Sequence, residues 1–187
     1  MHETWLLGGD EWRDSVCRVT SMFAELTLRE SRLDDPDAVT LIDQVQQFYV
    51  TLYGGPDTTP IDPLEMSRPD GAFFVGYLDD APILMGGWRF AREPIDLPAT
   101  RPAELKRMYV VPEYRGQGLA RDLLRHIEDS ARDAGADAMV LETGSPQAAA
   151  VALYRATGYT DITRFGHYKD EPDAVHLGKL LRKLGSA

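Results

Sequence analysis

The sequence has 187 residues, of which 43% are hydrophobic, with 30 acidic and 20 basic side chains and a formal net charge of −10. This length fits one domain with a sizeable core, and the acidic balance argues against nucleic acid as a partner. The lone Cys17 excludes an internal disulfide and favours a reducing compartment. No apolar run reaches the roughly 18 residues of a membrane span, and no basic segment precedes Trp5–Leu7. We therefore expect a cytoplasmic protein without membrane contact.

The start of the chain is interpreted as an N-terminal extension over residues 1–21, with the domain over residues 22–187. The extension is expected to pack on the domain, to form a disordered arm, or to contact another subunit. Its apolar spacing predicts one face of a short helix, which would include Cys17 as a small apolar residue. The residues on that face are Trp12, Val16, Val19 and Phe23.

A strand and a long helix are predicted next. Residues 24–31 place Leu26 and Leu28 on one face and polar residues on the other, which is typical of a half-buried strand. Residues 39–52 repeat apolar side chains every three or four positions, which predicts an amphipathic helix. Gly54-Gly55-Pro56 should end that helix, because glycine takes the left-handed cap and proline cannot continue the helix.

A loop and a hairpin follow. Residues 57–70 are polar and rich in proline and threonine, and a loop of this length often borders a site. Residues 71–78 and 83–90 are apolar runs around a short turn, which predicts an antiparallel hairpin. Gly86-Gly87 is unusual inside a strand and indicates either a bulge where a substrate approaches the backbone or close packing of Trp88.

The second half alternates strands and helices after a proline-rich loop over residues 91–102. Ser145 is expected to cap the last helix, with Pro146 at its first position. The predicted elements are a central strand over 103–111, a helix from Leu119 with apolar residues at helical spacing, a strand over 137–143, a helix over 148–156, and short strands over 160–165 and 175–180.

One stretch, Met108–Ala120, organises the chain: it reads as a strand, a turn with Gly116 and Gly118, and the start of a helix. Glycines let backbone amides approach a ligand closely, and a helix N-terminus adds unpaired donors with a partial positive charge. The stretch therefore predicts a seat for a phosphate-type anion. A dinucleotide fingerprint is excluded because Arg121 stands where a small residue is needed, and the Gly-Lys-Ser/Thr of a P-loop is absent.

The pattern that does match is Arg-x-x-Gly-x-Ala, from Arg115 to Ala120, which resembles the acetyl-CoA signature of the GNAT superfamily of N-acyltransferases. A second motif, Ala150–Tyr159, resembles the family's A-x-x-L-Y-x-x-x-G-F element, with Tyr159 in place of phenylalanine. The family often has asparagine three residues before that alanine, where this chain has Gln147. The resemblance runs from about residue 24 to residue 181 and identifies the chain as a small single-domain member.

The resemblance implies an α/β fold with a mixed, mostly antiparallel sheet flanked by helices and splayed at the central strand. It also implies acetyl-CoA as the acyl donor, with no metal. The amides of the turn would hold the pyrophosphate, the central strand would pair with the pantetheine arm, and the Met108 amide would face the thioester oxygen. The implied coenzyme-binding residues are Met108, Tyr109, Val110, Val111, Arg115, Gly116, Gln117, Gly118, Leu119, Ala120, Gln147 and Tyr154.

Acyl transfer to an amine also needs a base and an acid. By resemblance, Glu104 at the start of the central strand is the first candidate for the base, acting directly or through water, and Glu142 is its competitor. Tyr154 matches the family tyrosine that faces the CoA sulfur and would protonate the thiolate. His167 and Tyr168 are candidates for the acceptor pocket. No Cys-His or Ser-His-Asp pattern is visible, so direct transfer is expected.

The function that follows is N-acetylation of the primary amine of a small molecule. Two alternatives stay open: acetylation of a protein N-terminus or lysine, and a catalytically silent CoA-binding sensor. A homodimer is consistent with the resemblance, because small domains of this family commonly pair.

Overall fold

A computed structural model describes residues 16–20, 25–59 and 62–181 of the chain. These residues form three α-helices: α1 (Pro36–Tyr53), α2 (Leu119–Asp133) and α3 (Ala148–Ala156). Short 3-10 turns occupy Pro63–Met66 and Pro112–Tyr114. The strands are β1 (Val16–Thr20), β2 (Glu25–Ser31), β3 (Gly71–Leu78), β4 (Ala81–Phe90), β5 (Pro102–Val110), β6 (Ala138–Gly144), β7 (Thr160–Asp161) and β8 (Ala174–Leu180).

The strands form one sheet in the order β1-β2-β3-β4-β5-β6-β8-β7. All neighbours are antiparallel except β5 and β6, which run parallel and pair only from Pro102 with Ala138 to Glu104 with Val140. Beyond Glu104 and Val140 the described parts of these two strands separate, and we call this opening the fork. The predicted mixed, mostly antiparallel sheet, splayed at the central strand, is confirmed.

The core lies on both faces of the sheet because strand side chains alternate between faces. On one face α2 buries an apolar stripe that includes Leu123 and Ile127, together with Trp88. On the other face α1 buries Leu41 and Val45 against the sheet. The glycine stop after α1 is confirmed, since Gly54 adopts φ +81 and its amide donates to the Val50 carbonyl. None of the described helices has both the length and the apolar character needed to cross a membrane.

The N-terminal helix prediction is wrong for Val16–Thr20, which is a strand paired with β2. The segment Val-Cys-Arg-Val-Thr contains three β-branched residues, and pairing along the sheet edge outweighs its weak helical spacing. Trp12 and Phe23 lie outside the described residues. The division between residues 21 and 22 stays a prediction, although part of the predicted extension joins the sheet.

Two further boundaries differ near the end of the chain. Helix α3 starts at Ala148, and Ser145 does not cap it, because the Ser145 amide and hydroxyl donate to the Asp173 carbonyl and carboxylate. The strand predicted over residues 160–165 is confined to Thr160–Asp161. The chain then leaves the sheet, held by the Arg164 guanidinium, which donates to loop carbonyls of Lys169 and Glu171.

Candidate active site

The turn over Arg115–Ala120, called the glycine turn, connects β5 to α2. Gly116 and Gly118 adopt φ +75 and +85, a left-handed conformation that glycine reaches without strain. Gly118 is the N-cap of α2, and its position carries no side-chain cap. Among the described residues, the amides from Gly116 to Ala120 have no hydrogen-bond acceptor. The turn therefore presents unpaired donors at the positive end of a helix dipole, as an anion seat requires.

A groove of about 640 Å³ begins at the glycine turn, and we call it the large groove. Its walls come from α1, through Phe48 and Tyr49, and from the start of α3, through Pro146 and Ala150. Most of the predicted coenzyme-binding residues lie together along it. They are Met108, Tyr109, Val110, Arg115, Gly116, Gly118, Leu119, Ala120, Gln147 and Tyr154.

Val111 and Gln117 are not part of the groove wall. The Val111 amide donates to the Ile83 carbonyl (2.9 Å), and its carbonyl accepts from the Tyr114 amide (3.0 Å). The backbone of Val111 is therefore committed within the fold and cannot pair with a pantetheine arm. Val110 faces the other way, because peptide groups alternate along a strand. Gln117 contributes only its backbone amide in the glycine turn.

Two polar side chains of the groove are held by neighbouring groups. Arg115 Nε donates to the Val110 carbonyl (2.9 Å), and its guanidinium lies over the rings of Phe48 and Tyr109. Gln147 Nε2 donates to the Tyr53 hydroxyl (2.9 Å). Gln147 thus keeps a side-chain amide at the groove where the family often has asparagine.

Tyr154 closes the inner part of the groove beside β5. Its side chain is buried, and its hydroxyl lies 3.8 Å from Met108 Sδ. Burial raises the pKa of the Tyr154 hydroxyl, and the nearby Tyr49 adds to the effect. The phenol therefore keeps its proton at neutral pH and remains a hydrogen-bond donor at this end of the groove.

A β-bulge separates this groove from a second site. The register of β4 and β5 shifts between Met85 paired with Tyr109 and Gly87 paired with Lys106, so Arg107 and Met108 lie opposite Gly86. A side chain on Gly86 would approach the Met108 Cα within 3.3 Å. The predicted bulge at the glycines is present, and Trp88 is also fully buried beside it. Arg107 adopts φ +57, a strained conformation for a residue with a side chain.

Beyond the bulge lies a second space of about 260 Å³, which we call the small cavity. Its walls combine the end of β4, the fork and two loops, and Lys106 faces it where Met108 faces the groove. The residues that line it are Thr59, Arg89, Ala91, Arg92, Glu93, Ile95, Glu104, Lys106, Glu142, Phe165, Gly166 and His167.

Both candidate bases belong to an alternating row of charges along this cavity, which we call the ion chain. Glu104 Oε2 accepts from Arg89 Nε (3.0 Å), and Glu104 Oε1 lies 2.7 Å from Lys106 Nζ. Lys106 Nζ also donates to Glu142 Oε1 (3.0 Å). These side chains are only 6–8% exposed. Lys106 therefore joins Glu104 on β5 to Glu142 on β6 where the strands begin to separate. The ion chain is Arg92–Glu65–Arg89–Glu104–Lys106–Glu142.

Two loops meet over the fork. The Tyr168 hydroxyl donates to Asp57 Oδ1 (2.7 Å), and the Tyr168 amide lies 3.4 Å from Glu142 Oε2. Burial raises the pKa of Asp57, but hydrogen bonds from Thr59 and Tyr168 outweigh it and leave the pKa below its usual range. His167 lines the small cavity, whereas Tyr168 joins the two loops. Arg107 Nη1 lies 3.6 Å from Asp57 Oδ2.

Sequence reasoning missed Arg89, Arg92, Lys106 and Glu65. A signal was present in β5, where Glu104 and Lys106 alternate with apolar residues. Alternation of this kind places charges together on one face of a strand, and charges inside a central strand need partners.

The comparisons with known proteins identify the family of the chain. The model of the acetyltransferase (GNAT) family matches residues 41–159. An "IAA acetyltransferase" of Azospirillum brasilense is 35% identical over 153 residues, covering 82% of this chain and 95% of that protein. The "[Ribosomal protein bS18]-alanine N-acetyltransferase" of Escherichia coli (strain K12) is 37% identical over 71 residues, covering 38% of this chain and 48% of that protein.

The fold also matches solved structures. A GNAT family acetyltransferase from Elizabethkingia anophelis, solved with acetyl-CoA bound, superposes with a TM-score of 0.57 at 15% identity, over 83% of this chain and 98% of that chain. The family model matches more than half of the residues of the chain, and both the glycine turn and the start of the fork lie within the matched range. The chain therefore belongs to the GNAT acetyltransferase family.

Proposed function

We propose that this protein transfers the acetyl group of acetyl-CoA to the primary amine of a small molecule by direct attack. The observation that carries the proposal is the row of amides from Gly116 to Ala120, which have no acceptor in the described part of the chain and lie at one end of a groove that leads to Tyr154. The acetyl-CoA bound to the Elizabethkingia relative supports the coenzyme, and the similarity to an IAA acetyltransferase of Azospirillum supports acetyl transfer to a small molecule.

The coenzyme would lie along the large groove. The amides of the glycine turn take the pyrophosphate, with Arg115 nearby, and the pantetheine arm enters the fork beside β5. The backbone of Val110 and Met108 faces this side of the strand, since Val110 already offers its carbonyl there to Arg115. The Met108 amide then donates to the thioester oxygen and stabilises the charge that develops on it. Tyr109, Leu119 and Gln147 complete the walls.

The reaction needs one bond formed, one bond broken and two proton transfers. The neutral amine nitrogen forms a bond to the thioester carbon, the carbon–sulfur bond breaks, and the nitrogen loses a proton to a base. Tyr154 donates its hydroxyl proton to the departing thiolate. Its place beside Met108 Sδ puts the phenol near the strand along which the thioester lies.

Glu104 is our first candidate for the base, and Glu142 is the competitor. Glu104 accepts charged hydrogen bonds on both oxygens, so it would take the proton through a water on its remaining lone-pair position. Glu142 is held by Lys106 and by the longer contact from the Tyr168 amide. Replacing each by glutamine and measuring kcat/KM against pH decides between them. Only the variant of the true base should lose the ascending limb of the profile.

The proposal is tested by calorimetry with acetyl-CoA, followed by release of free thiol in the presence of a panel of amines. Binding followed by amine-dependent thiol release is the expected result. Binding without turnover on any amine would instead favour the CoA-binding sensor. Absence of binding would overturn the coenzyme assignment itself.

A protein acceptor is the second candidate, because part of the chain resembles the ribosomal-protein N-acetyltransferase. A peptide needs an open groove, whereas the small cavity lies under loops that Tyr168 and Asp57 join. This closure favours a small acceptor. The amine panel should therefore include peptides with a free N-terminus. If these were acetylated in preference to small amines, a protein acceptor would become the first candidate. A cytoplasmic location and a homodimer stay predictions.

A further inference from the structure

We propose that the acceptor is an amine that also bears a carboxylate, and that Arg92 is the residue that binds this carboxylate. The inference rests on the proposed function, because it assigns the small cavity to the acceptor. It names the substrate class and the residue that selects it.

The two buried cations of the cavity, Arg89 and Lys106, already form ion pairs with acidic side chains. Arg89 Nη1 donates to Glu65 Oε2 (2.6 Å), while Arg89 Nε and Nη2 each lie 3.0 Å from Glu104 Oε2. Lys106 is shared between Glu104 and Glu142. Every nitrogen of Arg89 thus has an acidic partner, and so does Lys106 Nζ. Turning Arg89 to a ligand would break its contacts with both Glu65 and Glu104, and turning Lys106 away would leave Glu142 without a cation, so either change disturbs buried charges.

Arg92, the outermost member of the ion chain, is different. Its side chain is 48% exposed, and it contacts Glu65 through Nη2. Among the described residues, Arg92 Nε and Nη1 have no acceptor. Arginine's planar guanidinium suits a carboxylate, because two parallel N–H groups can meet two oxygens. If Arg92 turned to a ligand, Glu65 would keep its bond to Arg89. Arg92 is therefore the exposed cation of the ion chain, and it can change partner while Glu65 and both buried acids keep a cation.

Charge balance supports the same orientation. The ion chain contains three cations and three anions, so its formal charge is zero. A ligand that brings its own amine and carboxylate adds no net charge. The acidic end of the chain, Glu142, lies at the fork, where the amine must reach the thioester, and the basic end, Arg92, lies away from it. The polarity of the chain thus matches an acceptor whose amine points to the fork and whose carboxylate points outward.

Glu93 is the remaining charged group of the cavity wall, and it is exposed. Its carboxylate would repel an acidic ligand. This makes Glu93 the matched control for Arg92, since the two neighbours carry opposite charges on the same wall. Neutralising Arg92 should weaken binding of the ligand carboxylate, and neutralising Glu93 should not.

The test compares amino acids with their own carboxamides as acceptors. The panel contains α-, β- and ω-amino acids, each paired with the amide that keeps the amine and removes the negative charge. Thiol release from saturating acetyl-CoA gives kcat/KM for each pair. The wild-type protein should prefer at least one acid over its amide by about 10-fold or more, as expected for a charged hydrogen bond.

The Arg92→Gln variant should raise KM for the preferred acid by roughly 10- to 100-fold, leave kcat within about 2-fold, and bring the acid-to-amide ratio near one. Arg92→Lys should restore part of the preference, because it keeps the charge without the planar donor pair. Glu93→Gln should keep the ratio or increase it. Calorimetry with the N-acetylated acid should show the same loss in Arg92→Gln, which gives a readout independent of turnover.

The inference is overturned if the wild-type protein uses every amide as well as its acid, or if Arg92→Gln leaves the ratio unchanged. In those cases acetyl-CoA still binds and amines are still acetylated, so the proposed function stands. A protein that fails to bind acetyl-CoA, or that binds it and releases no thiol with any amine, overturns the proposed function and this inference together.

Discussion

The large groove and the small cavity meet β5 on either side of the Arg107 bulge, and they are built in different ways. The anion seat of the groove consists of backbone amides from one contiguous turn. The cavity is defined by charged side chains from separate strands and loops. A backbone site accepts the same ligand whatever side chains surround it, whereas a side-chain site changes its ligand with single substitutions. A domain built in this way can keep its coenzyme while its acceptor changes.

The largest effect should follow from removing Lys106, the cation that Glu104 and Glu142 share. Lys106→Met leaves Glu104 and Glu142 buried without their shared partner, which should lower the free energy of unfolding by about 3–5 kcal/mol. Urea unfolding measures it. The matched control is Arg155→Met, which breaks the exposed pair with Asp161 and should cost less than about 1 kcal/mol. Equal losses in the two variants would show that the cavity does not depend on its buried charges.

The next largest effect should come from Tyr154, the residue of the large groove that is proposed to take part in the reaction. Tyr154→Phe should lower kcat by about 100-fold, because the thiolate loses its acid, while the dissociation constant of acetyl-CoA stays within about 2-fold. Met108 Sδ is the only hydrogen-bond partner of the hydroxyl among the described residues, so the fold should be preserved. Single-turnover kinetics and calorimetry separate the two quantities. Unchanged turnover would remove Tyr154 from the mechanism and reduce the groove to a binding site.

A charge placed in the glycine turn tests the backbone site directly. Gly118→Asp should raise the dissociation constant of acetyl-CoA by about 10-fold or more relative to Gly118→Asn, since only the charge differs. Asp and Asn both tolerate the left-handed conformation, and an added side chain meets nothing within 4 Å. Both also suit an N-cap, so α2 should remain formed. Equal affinities would place the pyrophosphate elsewhere.

The smallest effect concerns a histidine behind the cavity. Burial lowers the pKa of His176, opposed by Glu142 and reinforced by Arg164 and Lys106. In the unfolded chain the His176 imidazole has a pKa near 6.5 and binds the proton more readily than in the folded protein. Its contribution to stability is therefore fully present above about pH 6.5 and is lost as the pH falls toward the folded pKa. His176→Gln should flatten this slope, by at most about 1.4 kcal/mol per pH unit, in urea unfolding between about pH 5.5 and 7.5.

His126 contributes to the pH dependence of stability that remains in that variant. Burial against Phe74 lowers its pKa as well, so its contribution has the same sign. A wild-type slope identical to that of His176→Gln would mean that His176 does not titrate differently in the folded and unfolded states.

The same contrast explains what could be predicted from the sequence. The glycine turn, α2 and Tyr154 were predicted because their residues are close in the chain and periodic, and local patterns carry that information. The loop over residues 57–70 was expected to border a site, and Asp57, Thr59 and Glu65 do so.

The ion chain could not be assembled in that way. Arg89 meets Glu104 because β4 pairs with β5 in one register, and it meets Glu65 because the 3-10 turn Pro63–Met66 lies beside β4. Glu142 reaches Lys106 because β6 diverges from β5 after three pairs. The positive φ of Arg107 has no local signal either, because it arises from a register shift between two strands. The first strand was predicted as a helix because edge pairing, rather than its own spacing, determined its conformation.

The short β5–β6 pairing also has a mechanical consequence. Strands β1 to β5 form one part of the sheet and β6 to β8 form the other. Within the described chain, β5 and β6 connect the two parts through three residue pairs and an adjacent hydrogen bond from the Asp137 amide to the Arg101 carbonyl (3.2 Å). A coenzyme arm bound in the fork would add hydrogen bonds between the two parts of the sheet, so that they unfold as one unit. Native-state hydrogen exchange should then slow in β6 and β8 far more than in β2 and β3 once acetyl-CoA is bound.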